Sequence, residues 1–346
     1  MDATSSKAPA ARVAIIDTAY YLPETVVTNA DLARENPSWD IARMEAQTGV
    51  ARRHVVGERE TALDLAVPAC RQLFSRHAGL AEKIDGLLFC TQSPDHVMPN
   101  NACILHKLLD LGPHVAALDY NLGCSGYVYG LALARGLIVT GVAANVLLVT
   151  SDTLSRHIHP RDGSMRGLFA DGAAVSWIAA ADGDAGILDI ECATHGRDYD
   201  AIMVPAGGMR LARSAETASP IVDKHGNVRT RDNVYMEGMR VMAFVNSKVA
   251  QQVRGLLARN GIERGAVDLF LWHQASKAAL DSLARALEIP GERVFSNLRD
   301  VGNTTGASIP IALADALAQG RCRPGDLVVM SGFGIGLSWA TALVRL

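Results

Sequence analysis

Three residues, far apart in the chain, are of types that together can carry acyl-transfer chemistry. Cys124 lies in "NLGCSGYVYGLALARGLI", flanked by Gly123 and Gly126, where a strand-like run gives way to a helical pattern. A helix start offers unpaired N–H groups and the positive end of the dipole, which favour a thiolate and lower its pKa. We therefore expect an ionised nucleophile, with the flanking glycines letting a thioester approach closely. His273 ends the apolar run in "LFLWHQAS", and Asn303 sits in "DVGNTTGAS". Taken alone, a histidine at a strand end is as readily structural as catalytic, and Asn303 is an N-cap candidate. Thr304, Thr305 and Ser308 could cap equally well, leaving the amide free. The glycine-rich "SGFGIGLSW" (331–339) follows a strand but has neither the lysine nor the GxGxxG pattern of a phosphate loop, and its amides would more plausibly face an oxyanion.

Strand-like runs ("VAIID", "GLLFC", "VAALDY", "NVLLVT", "AVSWIAA", "DLFLWH", "RVFS", "DLVVM", "ATALV") alternate with helical patterns at 61–77, 101–111, 125–138, 238–259, 276–287 and 307–319. Such alternation predicts an α/β fold with strands buried on both faces. The chain also repeats itself. "IDGLLFCTQS" (84–93) matches "VDLFLWHQAS" (267–276), setting Cys90 against His273, and "NLGCSG…NVLLVTSD" (121–152) parallels "NLRDVGNTTGAS…DLVVMSGFG" (297–334). If the halves are related by a pseudo-twofold, the strand ends carrying Cys124, His273 and Asn303 converge on one crevice. We place the boundary in "ADGDAG" (181–186), giving halves 1–183 and 184–346, with a polar insert at about 210–235 as a surface excursion.

The 346 residues exceed what one hydrophobic core usually supports, in keeping with two halves. A hydrophobic content of 49%, a net charge of -3 and a pI near 6.4 describe an aliphatic-rich globule without a footprint for nucleic acid or anionic membrane. No signal-like segment or run of 18 apolar residues occurs, so the chain reads as cytosolic. The six cysteines lack metal-ligand or disulfide spacing, and the five besides Cys124 take core or surface readings. The order Cys, His, Asn also fits a papain-like protease, but the CGSCW signature is absent and the alternating α/β repeat is the wrong scaffold.

From "VAIIDTAYYLPETVVTNADL" through "TGVARRHV", "NLGCSGYVYGL", "LFADGAA", "WHQAS" and "VGNTTGASIP" to "FGIGLSWATALVRL", the chain resembles the thiolase-like condensing enzymes, and most closely β-ketoacyl-acyl carrier protein synthase III. The resemblance implies a five-layered αβαβα fold, a homodimer and a Cys124–His273–Asn303 triad. It further implies ping-pong decarboxylative condensation, in which an acyl-CoA or acyl-carrier protein donor loads Cys124 and a malonyl thioester follows. Backbone amides of Cys124 and Ile335 would form the oxyanion hole, with no metal or redox cofactor. Substrate contacts would fall at Met98, which the partner copy contributes, and at Ser276, Lys277, Gly334 and Gly336.

Several positions depart from the family pattern. The Trp and Arg that sandwich the CoA adenine in the family's priming enzymes are Arg43, with Trp39 displaced, and Gly163. Ser276 and Ala278 replace an Asn and an Arg, Ala170 a Gly, Ile335 the central glycine of the terminal loop, and Met98 a frequent Phe. These changes point to a specialised member for fatty acid, polyketide or other secondary metabolism. The alternatives are acyl transfer from Cys124 to an oxygen or nitrogen nucleophile, and a silent subunit that partners an active homologue; Asn303 and Cys124 respectively argue against them.

Overall fold

The computed structural model describes residues 12–181 and 183–346. Two sheets account for the long strands. In the first, β1 (Arg12–Tyr21), β2 (Gly86–Cys90), β3 (Ala116–Tyr120), β4 (Asn145–Asp152) and β5 (Gly172–Ala181) lie in the order β1-β5-β4-β2-β3. In the second, β6 (Gly186–Thr194), β7 (Leu269–Trp272), β8 (Leu327–Gly334) and β9 (Ser338–Arg345) lie in the order β7-β8-β9-β6.

The two sheets share one plan. Strands β2-β4-β5-β1 run parallel, antiparallel, antiparallel, and β7-β8-β9-β6 repeat that order and those directions. The run "RVFS", expected as a strand, forms only an isolated parallel bridge from Val294 to Phe270. It stands where β3 pairs with β2 in the other half.

Between the sheets lie α3 (Gly126–Val139) and α6 (Ser308–Ala318), preceded in the chain by α1 (Ala62–Arg76) and α2 (Asn101–Leu108) on the outer face of the first sheet. A helix covered by a sheet on each side has little need of a polar stripe. "GYVYGLALARGLIV" and "SIPIALADALA" contain one charged residue each, and Leu131, Ala134, Ile309 and Leu313 join Leu88 and Met330 in one central core. The outer face of the second sheet carries α4 (Gly238–Phe244), which continues through a π-helical stretch, Val245–Val249, into α5 (Ala250–Arg259), and then α7 (Lys277–Leu287). Helix, sheet, helix, sheet, helix are five layers. The 238–259 pattern is thus interrupted by π geometry, a feature frequent near functional sites, and Val245 faces the main cavity.

Helix starts follow local chemistry. Thr61 and Asp64 form a reciprocal capping box at α1, and Ser276 accepts the Ala279 N–H at the start of α7. The 210–235 segment folds back over residues 157–163: Val228 N–H bonds the Arg161 carbonyl, Val234 N–H the His157 carbonyl, and Gly163 N–H the Asn227 side chain.

The halves meet most tightly where β8 passes the residues before α3. A Cβ on Gly332 would lie 2.6 Å from the Cys124 carbonyl oxygen and 2.9 Å from the Ser125 Cα, both main-chain atoms. Gly332→Ala is therefore expected to cost about 1–3 kcal/mol, as overpacking of a filled interior does. A urea melt checks this, and an unchanged midpoint would show that this junction is loose.

Candidate active site

Cys124 stands two residues ahead of α3, His273 directly after β7, and Asn303 ahead of a 3-10 turn (Thr305–Ala307) that leads into α6. All three line one cavity of about 500 Å³, together with Phe333 and Gly334 at the end of β8 and Ile335 directly after it. Much of the remaining wall is apolar, including Leu154, Leu168, Phe169, Ile202, Val241 and Met242, and Arg213 and Val234 of the 210–235 segment also contribute.

Each side chain is fixed by its own set of contacts. Cys124 is half-buried, and Gly334 packs so closely that a Cβ there would lie 2.9 Å from its Sγ. The backbone N–H groups of Cys124 and Ile335 both donate to that sulfur, so two amides from different halves converge on one point. His273 Nδ1 lies 2.7 Å from the Ser308 hydroxyl, and Phe333 meets the ring edge-to-face at 5.6 Å. Asn303 uses its carboxamide oxygen on the Thr305 N–H (2.9 Å) and one amide hydrogen on the Ala275 carbonyl (3.2 Å). Asn303 does act as a local cap, yet its NH2 group keeps one hydrogen for a ligand.

The charge states differ from the expectation of an ionised thiol. Burial, with the charge of Asp152 adding to it, pushes the Cys124 thiol up to about 12, against the two amide hydrogen bonds that favour the anion. Burial likewise depresses His273 to about 3, with a hydrogen bond to the Thr305 backbone working the other way. The helix start is present, but desolvation outweighs it. At neutral pH the resting site is a thiol beside a neutral imidazole.

Other expected contacts separate. Ser276 and Gly334 line the cavity; Lys277, Gly336 and Met98 are not in its wall. Lys277 pairs with Asp281 along its own helix and packs against Gly49, and Met98 is 80% exposed. Ser276 caps α7 and does not bond the imidazole, whose anchor is Ser308. Ile335 packs its Cγ2 where a Cβ on Gly123 would come within 2.9 Å. Trp39 lies flat enough on Gly163 that a Cβ there would meet the indole at 2.9–3.3 Å, so the chain's own tryptophan covers that glycine.

Residues 118–196 match the family described as 3-Oxoacyl-[acyl-carrier-protein (ACP)] synthase III, and residues 257–346 match its C-terminal counterpart. A beta-ketoacyl-[acyl-carrier-protein] synthase III of Nitratidesulfovibrio vulgaris is 38% identical over 331 residues, covering 94% of this chain and 96% of the relative. The chain belongs to the synthase III family. A synthase III of Streptomyces coelicolor is 37% identical over 93% of each chain. A crystal structure of a 3-oxoacyl-(acyl-carrier-protein) synthase III superposes with a TM-score of 0.94 at 42% identity, covering 97% of this chain and all of that one. As a member of the synthase III family this protein is an acyl-transferring condensing enzyme with the thiolase-like αβαβα fold.

Sequence reasoning missed the residues that hold the site. In the sequence Ser308 and Thr305 read only as caps, and Asp152 only as the end of a repeat. Their roles depend on contacts across the two halves that no local pattern displays.

A thiol held near 12 makes a clear kinetic statement. Iodoacetamide alkylation of Cys124 is expected to rise about tenfold per pH unit through pH 9, because the thiolate fraction grows by that factor well below the pKa. Peptide mass spectrometry of the alkylated site checks it, and a plateau between pH 6 and 8 would reveal a stable ion pair instead.

Proposed function

We propose that Cys124, His273 and Asn303 perform a ping-pong decarboxylative condensation of a Cys-bound acyl group with a malonyl thioester. The reading is carried by one observation: a sulfur, two converging backbone amides, the His273 ring and the remaining Asn303 N–H face the same apolar cavity. In the first half-reaction the Cys124 sulfur attacks the thioester carbonyl, the oxyanion is stabilised by the Cys124 and Ile335 amides, and the C–S bond to the leaving thiol breaks. The Cys124 proton leaves with that thiol, so the half-reaction conserves charge.

In the second half-reaction the malonyl carboxylate departs as CO2, and its electron pair becomes an enolate on the thioester oxygen. His273 Nε2 and the free Asn303 hydrogen would donate to that oxygen, a negative charge that exists only after C–C cleavage begins. A neutral imidazole suits this donor role better than an imidazolium, which would hand its proton over and quench the carbanion. The carbanion attacks the acyl-cysteine and expels the Cys124 thiolate. The thiolate then takes a proton from water, so CO2 departs neutral and the negative charge that began on the malonyl carboxylate leaves as hydroxide.

The donor is an acyl-CoA or acyl-carrier protein and the acceptor a malonyl group, carried on acyl carrier protein; the reaction so written calls for no metal or redox cofactor. With Trp39 seated on Gly163, the face that would stack an adenine is already filled. This supports a specialised member whose donor is recognised by its pantetheine arm more than by its nucleotide. The reading places the enzyme in the cytoplasm; no helix among the described residues is long and apolar enough to cross a membrane. A homodimer is supported by β3, an edge strand with Leu118 39% exposed, and by Val97 at 86% and Met98 at 80% in the segment before α2, whose first residues bond the Asp119 carboxylate of β3. Pairing there would hand Met98 to the partner's cavity.

Incubation with a panel of acyl-CoA donors is expected to add one acyl mass at Cys124, and malonyl-acyl carrier protein to discharge it as a β-ketoacyl product. Asn303→Ala should retain the adduct and lose condensation by about 10²–10³-fold, the usual cost of one transition-state donor. Discharge to a simple ester or amide, or no adduct at all, would defeat the proposal. Light scattering should give twice the chain mass, and Leu118→Glu should halve it.

A further inference from the structure

Asp152 ends β4, is 1% exposed and lines no part of the cavity, yet it joins the two halves directly behind the site. One carboxylate oxygen accepts the Gln92 N–H at 2.6 Å and the Thr91 and Ser93 hydroxyls at 3.3 and 3.4 Å, all from the segment after β2. The other accepts the Thr305 hydroxyl at 2.6 Å, from the opposite half. Its partners are three hydroxyls and one amide, and no cation pairs with it among the described residues. Buried carboxylates of this kind are costly, and one without a counter-ion calls for a reason.

Thr305 supplies the reason. It has φ of 52°, a left-handed conformation that a β-branched residue adopts only when its surroundings impose it. In that conformation its N–H reaches the Asn303 oxygen, and its backbone hydrogen-bonds His273. Both donors of the proposed condensation are therefore tied to one strained residue, and the side chain of that residue is tied to Asp152.

We propose that Asp152 is a positioning residue, which fixes the donor hydrogens of His273 and Asn303 through the backbone of Thr305 without touching substrate. The same negative charge has a second effect, on Cys124, because the carboxylate lies close behind the nucleophile's own segment: a Cβ on Gly306 would be 3.1 Å from the Gly123 carbonyl oxygen and 3.9 Å from Asp152 Oδ2. The ionisable groups around that sulfur are Asp152 from β4, the buried Cys90 from β2 and the neutral His273 after β7, with His157 and Arg213 farther along the cavity wall. Of these, Asp152 is the anion that opposes a thiolate, so the residue that favours decarboxylation also restrains the nucleophile between turnovers.

These two effects separate by substitution. Asp152→Asn keeps an acceptor for Gln92 and can offer its NH2 to the Thr305 hydroxyl oxygen, so it removes charge and retains the link. Asp152→Ala and Thr305→Ala remove the link. The probes are iodoacetamide for Cys124 and malonyl-CoA, with CO2 release, for the donors. Asp152→Asn is expected to alkylate about tenfold faster at pH 7.5, with its rate-pH profile displaced about one unit downward. Thr305→Ala should keep the wild-type alkylation profile while kcat for CO2 release falls about 10²-fold with little change in KM. Asp152→Ala should show both effects; if it fails to fold, the other two variants carry the comparison.

A merely structural role would lower alkylation and CO2 release together in every variant, and that result overturns the proposal. So does an unchanged alkylation profile in Asp152→Asn, or undiminished CO2 release in Thr305→Ala. The inference about the donors rests on the condensation reading, whereas the alkylation arm does not. Wild-type protein that releases no CO2 from malonyl-CoA would remove that reading and the donor role with it, and the alkylation profile would still decide whether Asp152 governs the sulfur.

Discussion

The site exists because two duplicated halves press loop against strand with almost no room between their backbones. Gly332 and Gly334 of β8 lie against the main chain and side chain of Cys124, and Gly306 lies where a Cβ would be 3.1 Å from the Gly123 carbonyl. Side chains cannot fit at such distances, so the approach is made by main chain alone. That closeness is what lets the Ile335 amide reach the same sulfur as the Cys124 amide. The central helices α3 and α6 enforce it, since each is packed between sheets and neither can slide without opening the central core.

Burial has a price in charge. A sulfur and an imidazole enclosed by this interior are both driven to their neutral forms, to about 12 and about 3. The arrangement suits a reaction that passes through a carbanion, because acids able to quench it are excluded from the cavity wall. It also works against acidification. His273, depressed in the folded state, contributes stability that is present above its unfolded value of about 6.5 and is lost as pH falls towards 3. Asp152, raised to about 6, acts in the opposite sense: the folded chain gains relative to the unfolded one as pH drops below 6. Between these limits the two buried groups partly offset each other.

Much of this was legible in the sequence, for identifiable reasons. The six helical patterns lie within a few residues of helices, because apolar periodicity reports burial directly and caps such as Thr61 and Ser276 mark their starts. The strand runs were equally plain where both faces are covered, and failed at "RVFS", where a single bridge at Val294 replaces a ladder. Cys124, His273 and Asn303 stood out because the repeat placed them at matching ends of matching elements. What the sequence could not carry was the balance of desolvation against the helix start at Cys124. Nor could it show that Lys277 would turn along its own helix to Asp281, or that Trp39 would settle on Gly163. Those outcomes are set by neighbours more than 100 residues away in the chain, or by competition between local partners of similar strength.

The repeated plan also bears on which residues are candidates for chemistry. Equivalent skeleton positions lie at the end of β2 and just after β7, and precede α3 and α6, so the plan offers four places at Cys90, His273, Cys124 and Asn303. Three of them face the cavity. The fourth, Cys90, is buried behind it, its thiol donating to the Leu122 carbonyl at 2.9 Å and its sulfur filling the space left by the missing side chain of Gly126. A histidine of greater volume at 90 would meet the first turn of α3 and displace Cys124, whereas His273 has Ser308 and Phe333 to receive it. The pseudo-symmetry is therefore broken beside Cys124, and in the proposed reaction one half presents the sulfur while the other supplies the hydrogens.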